Sequence, residues 1–400
     1  MNVVDAVLRA ASFAFGMAWE ITWALILGFF LSAVVQAVVS KAEMIRLLPD
    51  DSPRRLTIAT LLGAASSSCS YAAVALARSI FRKGANFTAA MAFEIASTNL
   101  VIELGIILAL LLGWQFTLGE FLGGPLMIVL LAVLFRRFLK PSLVAEARRQ
   151  ADRGLRGSME GHAEMDMAVT DGPLLARITS PAGFTAISHY FVMDWAAIWK
   201  DITVGLLIAG ALAAWVPMEA WQTVFLSSNP TLALVWGPLI GPLISVVSFV
   251  CSIGNVPLAA VLWNGGISFG GVLAFIFADL LILPILNIYR KYYGLRMTAF
   301  LAVTFYVAMA VAALVVELVF GALGLIPSHR NALVVEASIS LNYTTILNVA
   351  FLALAAVLVW RFLRTGGPEM MAMMDMPAGQ MHGHELHGHD MGGHEMHDGG

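Results

Sequence analysis

Long apolar runs separated by short polar clusters divide this chain. Residues 11 to 39 are apolar almost throughout. At about 1.5 Å rise per residue such a run crosses a hydrocarbon core of about 30 Å with room to tilt. Glu20 falls between Trp19 and Trp23, a placement that suits a membrane interface, where Trp is enriched. A loop from 40 to 55 follows, carrying Lys41, Arg46, Arg54 and Arg55, with Pro49 and Pro53 breaking any helix. Further apolar segments are predicted at 56–82, 86–113, 121–139, 198–216, 232–263, 268–289, 298–323 and 343–363.

Two of these stretches are interrupted. Within 57–114 the run Ser66, Ser67, Ser68, Cys69, Ser70 comes first, and Ser97, Thr98, Asn99 second, with Glu94 and Glu103 on either side. Polar groups at hydrocarbon depth cost several kcal/mol unless protein or a wet cavity satisfies them, and a carboxylate costs roughly 2.5–3.5 kcal/mol or more. Singly, such residues serve as interhelical hydrogen-bonding glue; as a cluster they favour a solute pathway. Segment 232–263 is broken by Pro238, Gly241, Pro242, Gly254 and Pro257, so one uninterrupted helix is excluded. Its turn region reads Ser248, Cys251, Ser252, Asn255, and Asp279 follows.

The interruptions recur at an offset of 182. Cys69, Ser70, Val74, Leu76, Ala77, Gly84, Phe87, Ala92, Phe93 and Ala96 fall on Cys251, Ser252, Val256, Leu258, Ala259, Gly266, Phe269, Ala274, Phe275 and Ala278. The chain has only 2 cysteines and both share this register, so an internal duplication is expected. Charge bias differs between the copies. Arg54, Arg55, Arg78, Arg82 and Lys83 flank the first serine-cysteine run, whereas 217–231 and 263–266 contain no Lys or Arg. Basic residues favour the cytoplasmic side, so 56–82 reads as a re-entrant hairpin and the copies as inverted units, a recurrent transporter plan. If 56–82 and 232–263 cross fully, the copies are parallel instead.

The domain reading is then 1–140 as a first transmembrane repeat, 141–196 as a cytoplasmic insertion, 197–325 as a second repeat, 326–365 as a last helix and 366–400 as a tail. Composition agrees with an all-α polytopic protein of the cell (inner) membrane. The 400 residues are 59% hydrophobic and 12% charged, with mean hydropathy +0.82, against about 25% charged in soluble domains. The lipid bilayer is the first partner. A net charge of −3 gives no reason to expect nucleic acid, and no phosphate loop or cofactor is expected. Met1 to Ala10, with Asp5 and Arg9, does not read as a cleavable signal peptide. In the insertion, His162 with Met159, Met165 and Met167 reads as solvated linker. Arg361 and Arg364 place the C-terminus in the cytoplasm.

The tail is of another composition. It holds His382, His384, His387, His389, His394 and His397 and eight methionines among glycine and acidic residues, which is too poor in branched and aromatic side chains to pack. Imidazole and thioether suit soft metal ions, so buffering, sensing or delivery fits better than catalysis; a solvated tail is the plainer reading.

The runs SSSCSYAAVALARSIFRKGA and AFEIASTNLVIELG, then SFVCSIGNVPLAAVLWNGG and FADLLILPILNIYRKYYG, resemble the predicted permeases of the ArsP type over roughly residues 15 to 325. That resemblance implies an exporter of trivalent organoarsenicals or of a related soft-metal-linked solute. The last helix, the insertion and the tail lie outside it.

On this reading Ser68, Cys69, Ser70, Ser97, Thr98, Asn99, Cys251, Ser252 and Asn255 are candidates for the solute pathway. Trivalent arsenic and soft metals prefer thiolate, and Cys69 and Cys251 would meet if a two-fold axis relates the copies. Equally, each is a small residue at a tight turn. Glu94, Glu103 and Asp279 are the candidates for proton coupling, since no nucleotide-binding domain is encoded. A membrane enzyme is disfavoured because His189 and His329 only flank the predicted helices. A channel-like pore and a metal-sensing scaffold remain rivals to a carrier.

Overall fold

A computed structural model describes residues 3–38, 46–66, 70–151, 167–169, 173–226, 228–248, 252–334 and 343–375. Regular structure among them is entirely helical. The apolar run that opens the chain forms α1 (Val3–Val38), and its two following companions are α2 (Pro53–Ser66) and α3 (Ser70–Arg82). Of the serine-cysteine run, Ser66 ends α2 and Ser70 starts α3, and 67–69 lie outside the described residues. A tight turn at Gly84, φ +117°, leads into α4 (Phe87–Asn99). Asn86 caps that helix, its side chain accepting from Thr88 N (2.9 Å) and Ala89 N (3.3 Å). The predicted helix 86–113 is in fact two, because Val101 is extended (φ −98°, ψ 146°) and α5 (Ile102–Leu111) starts beyond it. Then come α6 (Trp114–Phe138) and α7 (Pro141–Ala151).

The second half repeats this order. After a short α8 (Leu174–Thr179) come α9 (Pro181–Trp215), α10 (Met218–Val224), α11 (Pro230–Ser248) and α12 (Ser252–Gly265). A turn at Gly266, φ +110°, leads to α13 (Phe269–Phe277), capped by Ser268. A 3-10 turn (Ala278–Leu281), α14 (Leu283–Tyr293) and α15 (Leu295–Ala322) follow. Helix pairs match as well: α2 packs on α4 as α11 packs on α13.

One detail fixes the correspondence. Arg148 donates to Phe81 O (2.7 Å) and Ala85 O (3.1 Å), its guanidinium 4.1 Å over the Phe81 ring. Arg330 donates to Trp263 O (2.8 Å) and Ile267 O (2.6 Å), 4.2 Å over the Trp263 ring. Every residue of the second clamp stands 182 positions after its counterpart. Each clamp satisfies carbonyls at the turn between paired helices, where the intrahelical ladder has run out.

Counterpart helices meet head to tail. Trp215 Nε1 donates to Ala6 O (3.0 Å) near one end of the α1–α9 pair, and Gln36 Nε2 to Asp194 Oδ2 (3.0 Å) near the other. In the α6–α15 pair, Phe135 meets Phe300 at 5.3 Å between ring centroids, while Gly123 lies against Val316. Against α1 and α9 lies α16 (Tyr343–Arg364), where Asn348 donates to Trp19 O (2.8 Å) and accepts from Trp23 N (2.9 Å).

Five of these helical stretches are long and apolar enough to cross a membrane among the described residues, six if the pair bent by 40° at Ile282 counts as one. Three sequence expectations change. The hydrophilic insertion is shorter than read: α7 docks on α14, and Ser180 with Pro181 starts α9 early. His189 therefore lies within a helix, buried, with Nε2 2.8 Å from Thr365 Oγ1. Helix α17 (Gly367–Asp375) occupies the start of the segment read as tail, since Glu, Met and Ala propagate a helix well. The six tail histidines and His162 lie outside the described residues.

Candidate functional site

The helix breaks of the two halves come together. Ser70, first residue of α3, donates to Asp279 Oδ2 at 2.6 Å, and Asn99, last residue of α4, reaches Asp279 Oδ1 at 3.4 Å. Asp279 itself sits in the 3-10 turn that interrupts the second half, at the position answering to Ser97. All of these side chains are fully buried. Glu94, one helical turn before Thr98 on α4, accepts a short hydrogen bond from Tyr289 of α14. Its other oxygen, Oε2, has no hydrogen-bond partner among the described residues, nor has Asn99 Oδ1. An unsatisfied polar group in a dry interior costs about 1–3 kcal/mol, so a cluster that leaves two of them is not explained by packing alone.

Sequence-derived candidates divide accordingly. Ser70, Asn99, Glu94 and Asp279 belong to this cluster. Ser97 and Thr98 turn back on their own helix, donating to Glu94 O (2.9 Å) and Ile95 O (3.2 Å). Asn255 is buried, with Nδ2 3.4 Å from Ser245 Oγ. Glu103 is elsewhere: its side chain lies against Gly28 of α1. Ser68, Cys69 and Cys251 lie outside the described residues, as does the side chain of Ser252.

Several buried residues escaped the sequence reading. Glu120 of α6 is fully buried, with neither carboxylate oxygen hydrogen bonded among the described residues, and it lies within electrostatic reach of Asp279. It was missed because the predicted span began at 121; a lone carboxyl inside an apolar run was the available signal. Asp194 accepts from Ser32 (3.4 Å), which also meets Ser66 O (2.9 Å), so it steadies the last turn before the serine-cysteine run. Glu317 of α15 accepts from Ser268 (2.8 Å) and opens into a cavity of about 440 Å³ lined also by Gln222, Trp263, Asn264 and Arg330. At the offset of 182 it falls on Phe135, stacked on Phe87 at 6.0 Å between centroids. The carboxylates do not recur in the second half: Glu94 falls on Ile276 at the offset of 182. Glu103 and Glu120 fall on Pro284 and Leu301 at the offset of 181 by which the helix starts at Val101 and Gly113 precede those at Ile282 and Gly294. No group of three or more His, Cys, Asp or Glu among the described residues is placed to hold a metal ion.

The model of a family described as "Predicted permease" (ArsP_1) matches residues 7–318. A Mycobacterium tuberculosis (strain ATCC 25618 / H37Rv) protein named "Putative permease Rv2963" is 64% identical over 348 residues, which is 87% of this chain and 86% of that protein. No solved structure matches. With a polytopic helical frame, a buried polar cluster where both halves break, and these two likenesses, the chain belongs to the predicted permease family.

Proposed function

We propose that this permease is a proton-driven carrier built of two inverted units, exporting a small trivalent metalloid or soft-metal-linked solute across the inner membrane. The observation that carries the reading is the bonding of Ser70 and Asn99 to Asp279 across sequence separations of 209 and 180 residues. It makes the two helix breaks one site, and broken helices meeting at a repeat interface are where such carriers bind their solute. Ser68, Cys69, Cys251, Ser252 and Asn255 supply the rest of the pathway, the two sulfurs giving it a taste for soft solutes. Glu94, Glu103 and Asp279 handle the coupled proton. The C-terminus is cytoplasmic, where the tail histidines and methionines meet soft metal ions.

Proteoliposomes loaded with methylarsenite test this. The wild-type protein should accelerate exchange of labelled for unlabelled methylarsenite, and a pH gradient should drive net uptake. Asp279→Asn keeps size and hydrogen bonding but releases no proton, so gradient-driven uptake should disappear while the protein stays folded. Uptake in that variant that still follows the pH gradient would make Asp279 structural. Flux without exchange would make the protein a channel.

Inverted orientation is supported by the head-to-tail pairing of α1 with α9 and of α6 with α15. In a cysteine-free background, a membrane-impermeant maleimide added outside should reach Glu219→Cys and not Arg54→Cys, both positions being exposed. Labelling of both from one side would remove the inverted arrangement.

A further inference from the structure

Glu120 has no part in the reading above, and its surroundings are unusual. On a helix, residues three and four apart share a face, so Glu120 shares one with Gly123 and Gly124. A Cβ at Gly123 would lie 2.5 Å from the Phe277 side chain, and one at Gly124 2.4 Å from that of Leu100. Both contacts are to residues at a helix break: Phe277 ends α13 and Leu100 follows α4. The two glycines therefore let α6 press against both breaks at once, one turn from a fully buried carboxyl whose two oxygens meet no donor among the described residues.

We propose that Glu120 joins Asp279 and Glu94 in carrying the proton that drives transport, resting on the carrier reading. Those two carboxyls already have donors, Ser70 and Asn99 on one and Tyr289 on the other; Glu120 has none among the described residues. A carboxylate so placed is stable only with a proton or a cation, and the described residues form no grouping for a metal ion. The step is simple: hydronium from water on one face gives its proton to a Glu120 oxygen, and that proton later leaves to water on the other face. Other titratable groups on elements packed against α6 are Glu103 on α5, facing α1, and Arg296, Tyr306 and Glu317 on α15. Arg296 lies 3.7 Å from Glu146, Tyr306 donates to Leu239 O (2.9 Å) and Glu317 accepts from Ser268, so each has its own partner.

The test has two arms on the full-length protein. Infrared difference spectra of the reconstituted protein, taken across a pH titration without solute, should show a protonated-carboxyl band that Glu120→Gln removes and Glu120→Asp shifts. With methylarsenite, Glu120→Gln should lose pH-gradient-driven uptake and retain methylarsenite exchange, whereas Glu120→Asp should keep both. A band that survives Glu120→Gln overturns the proposal, and so does gradient-driven uptake that survives it. If the wild-type protein moves no methylarsenite, the solute assignment falls and the infrared arm still decides Glu120. Failure of Glu120→Gln to fold leaves Glu120→Asp to decide: an unshifted band overturns the assignment.

Discussion

Arg148→Met is expected to destabilise the protein by about 3 kcal/mol, read as a lower unfolding midpoint in detergent. The guanidinium donates to two carbonyls at the α3–α4 turn and lies over the Phe81 ring. A hydrogen bond to a charged group contributes about 1.5–3 kcal/mol and a cation–π contact about 0.5–2. Methionine keeps much of the aliphatic packing and supplies neither. Arg148→Lys should fall between, because an ammonium is a point charge that cannot fork between Phe81 O and Ala85 O as the planar group does. Arg330→Met should cost a similar amount, since its two bonds and its ring contact repeat the geometry. Midpoints unchanged in both methionine variants would mean that water replaces the clamps without loss.

The second large effect concerns Cys69 and Cys251. If they chelate a trivalent arsenical together, Cys69→Ser and Cys251→Ser should each abolish methylarsenite transport nearly as fully as the double variant. One sulfur cannot replace a two-point chelate, so the losses are strongly non-additive. Serine keeps nearly the same volume and a polar hydroxyl, so protein level should hold. A bifunctional trivalent arsenical should protect both thiols from maleimide together. Transport at wild-type level in either single variant would reduce the cysteines to packing residues and leave Ser70, Asn99 and Asp279 as the solute's main contacts.

Much of the frame was legible because its breaks are written in side chains. The turns show in Gly84 and Gly266 and the offset of 182 in those glycines and the cysteines, whereas Pro238, Pro242 and Pro257, which read as interruptions, lie inside α11 and α12. The break at Leu100 and Val101 was not legible, since both residues are apolar and only their backbones depart from the helix. Nor was the pairing of Ser70 and Asn99 with Asp279: each is polar and interrupts an apolar run, but which interruption faces which is decided by packing over some 200 residues of chain. Arg148 and Arg330 were hidden for another reason. They stand in hydrophilic segments where an arginine needs no explanation, and only the carbonyls they meet distinguish them from surface charge. Glu120 shows the cost of a boundary: one residue's shift in a predicted span removed it from consideration.

The clamps also set an order of events at the ribosome. The turn between α3 and α4 emerges first, and its donor follows 63 to 67 residues later. At about 5–20 residues per second, that is a wait of roughly 3 to 13 s before the guanidinium can reach Phe81 O and Ala85 O. The same interval recurs before Arg330 reaches Trp263 O and Ile267 O. A nascent chain stopped at residue 140 has made every helix of its first half through α6 and still lacks the group that closes it; one stopped at residue 151 has it.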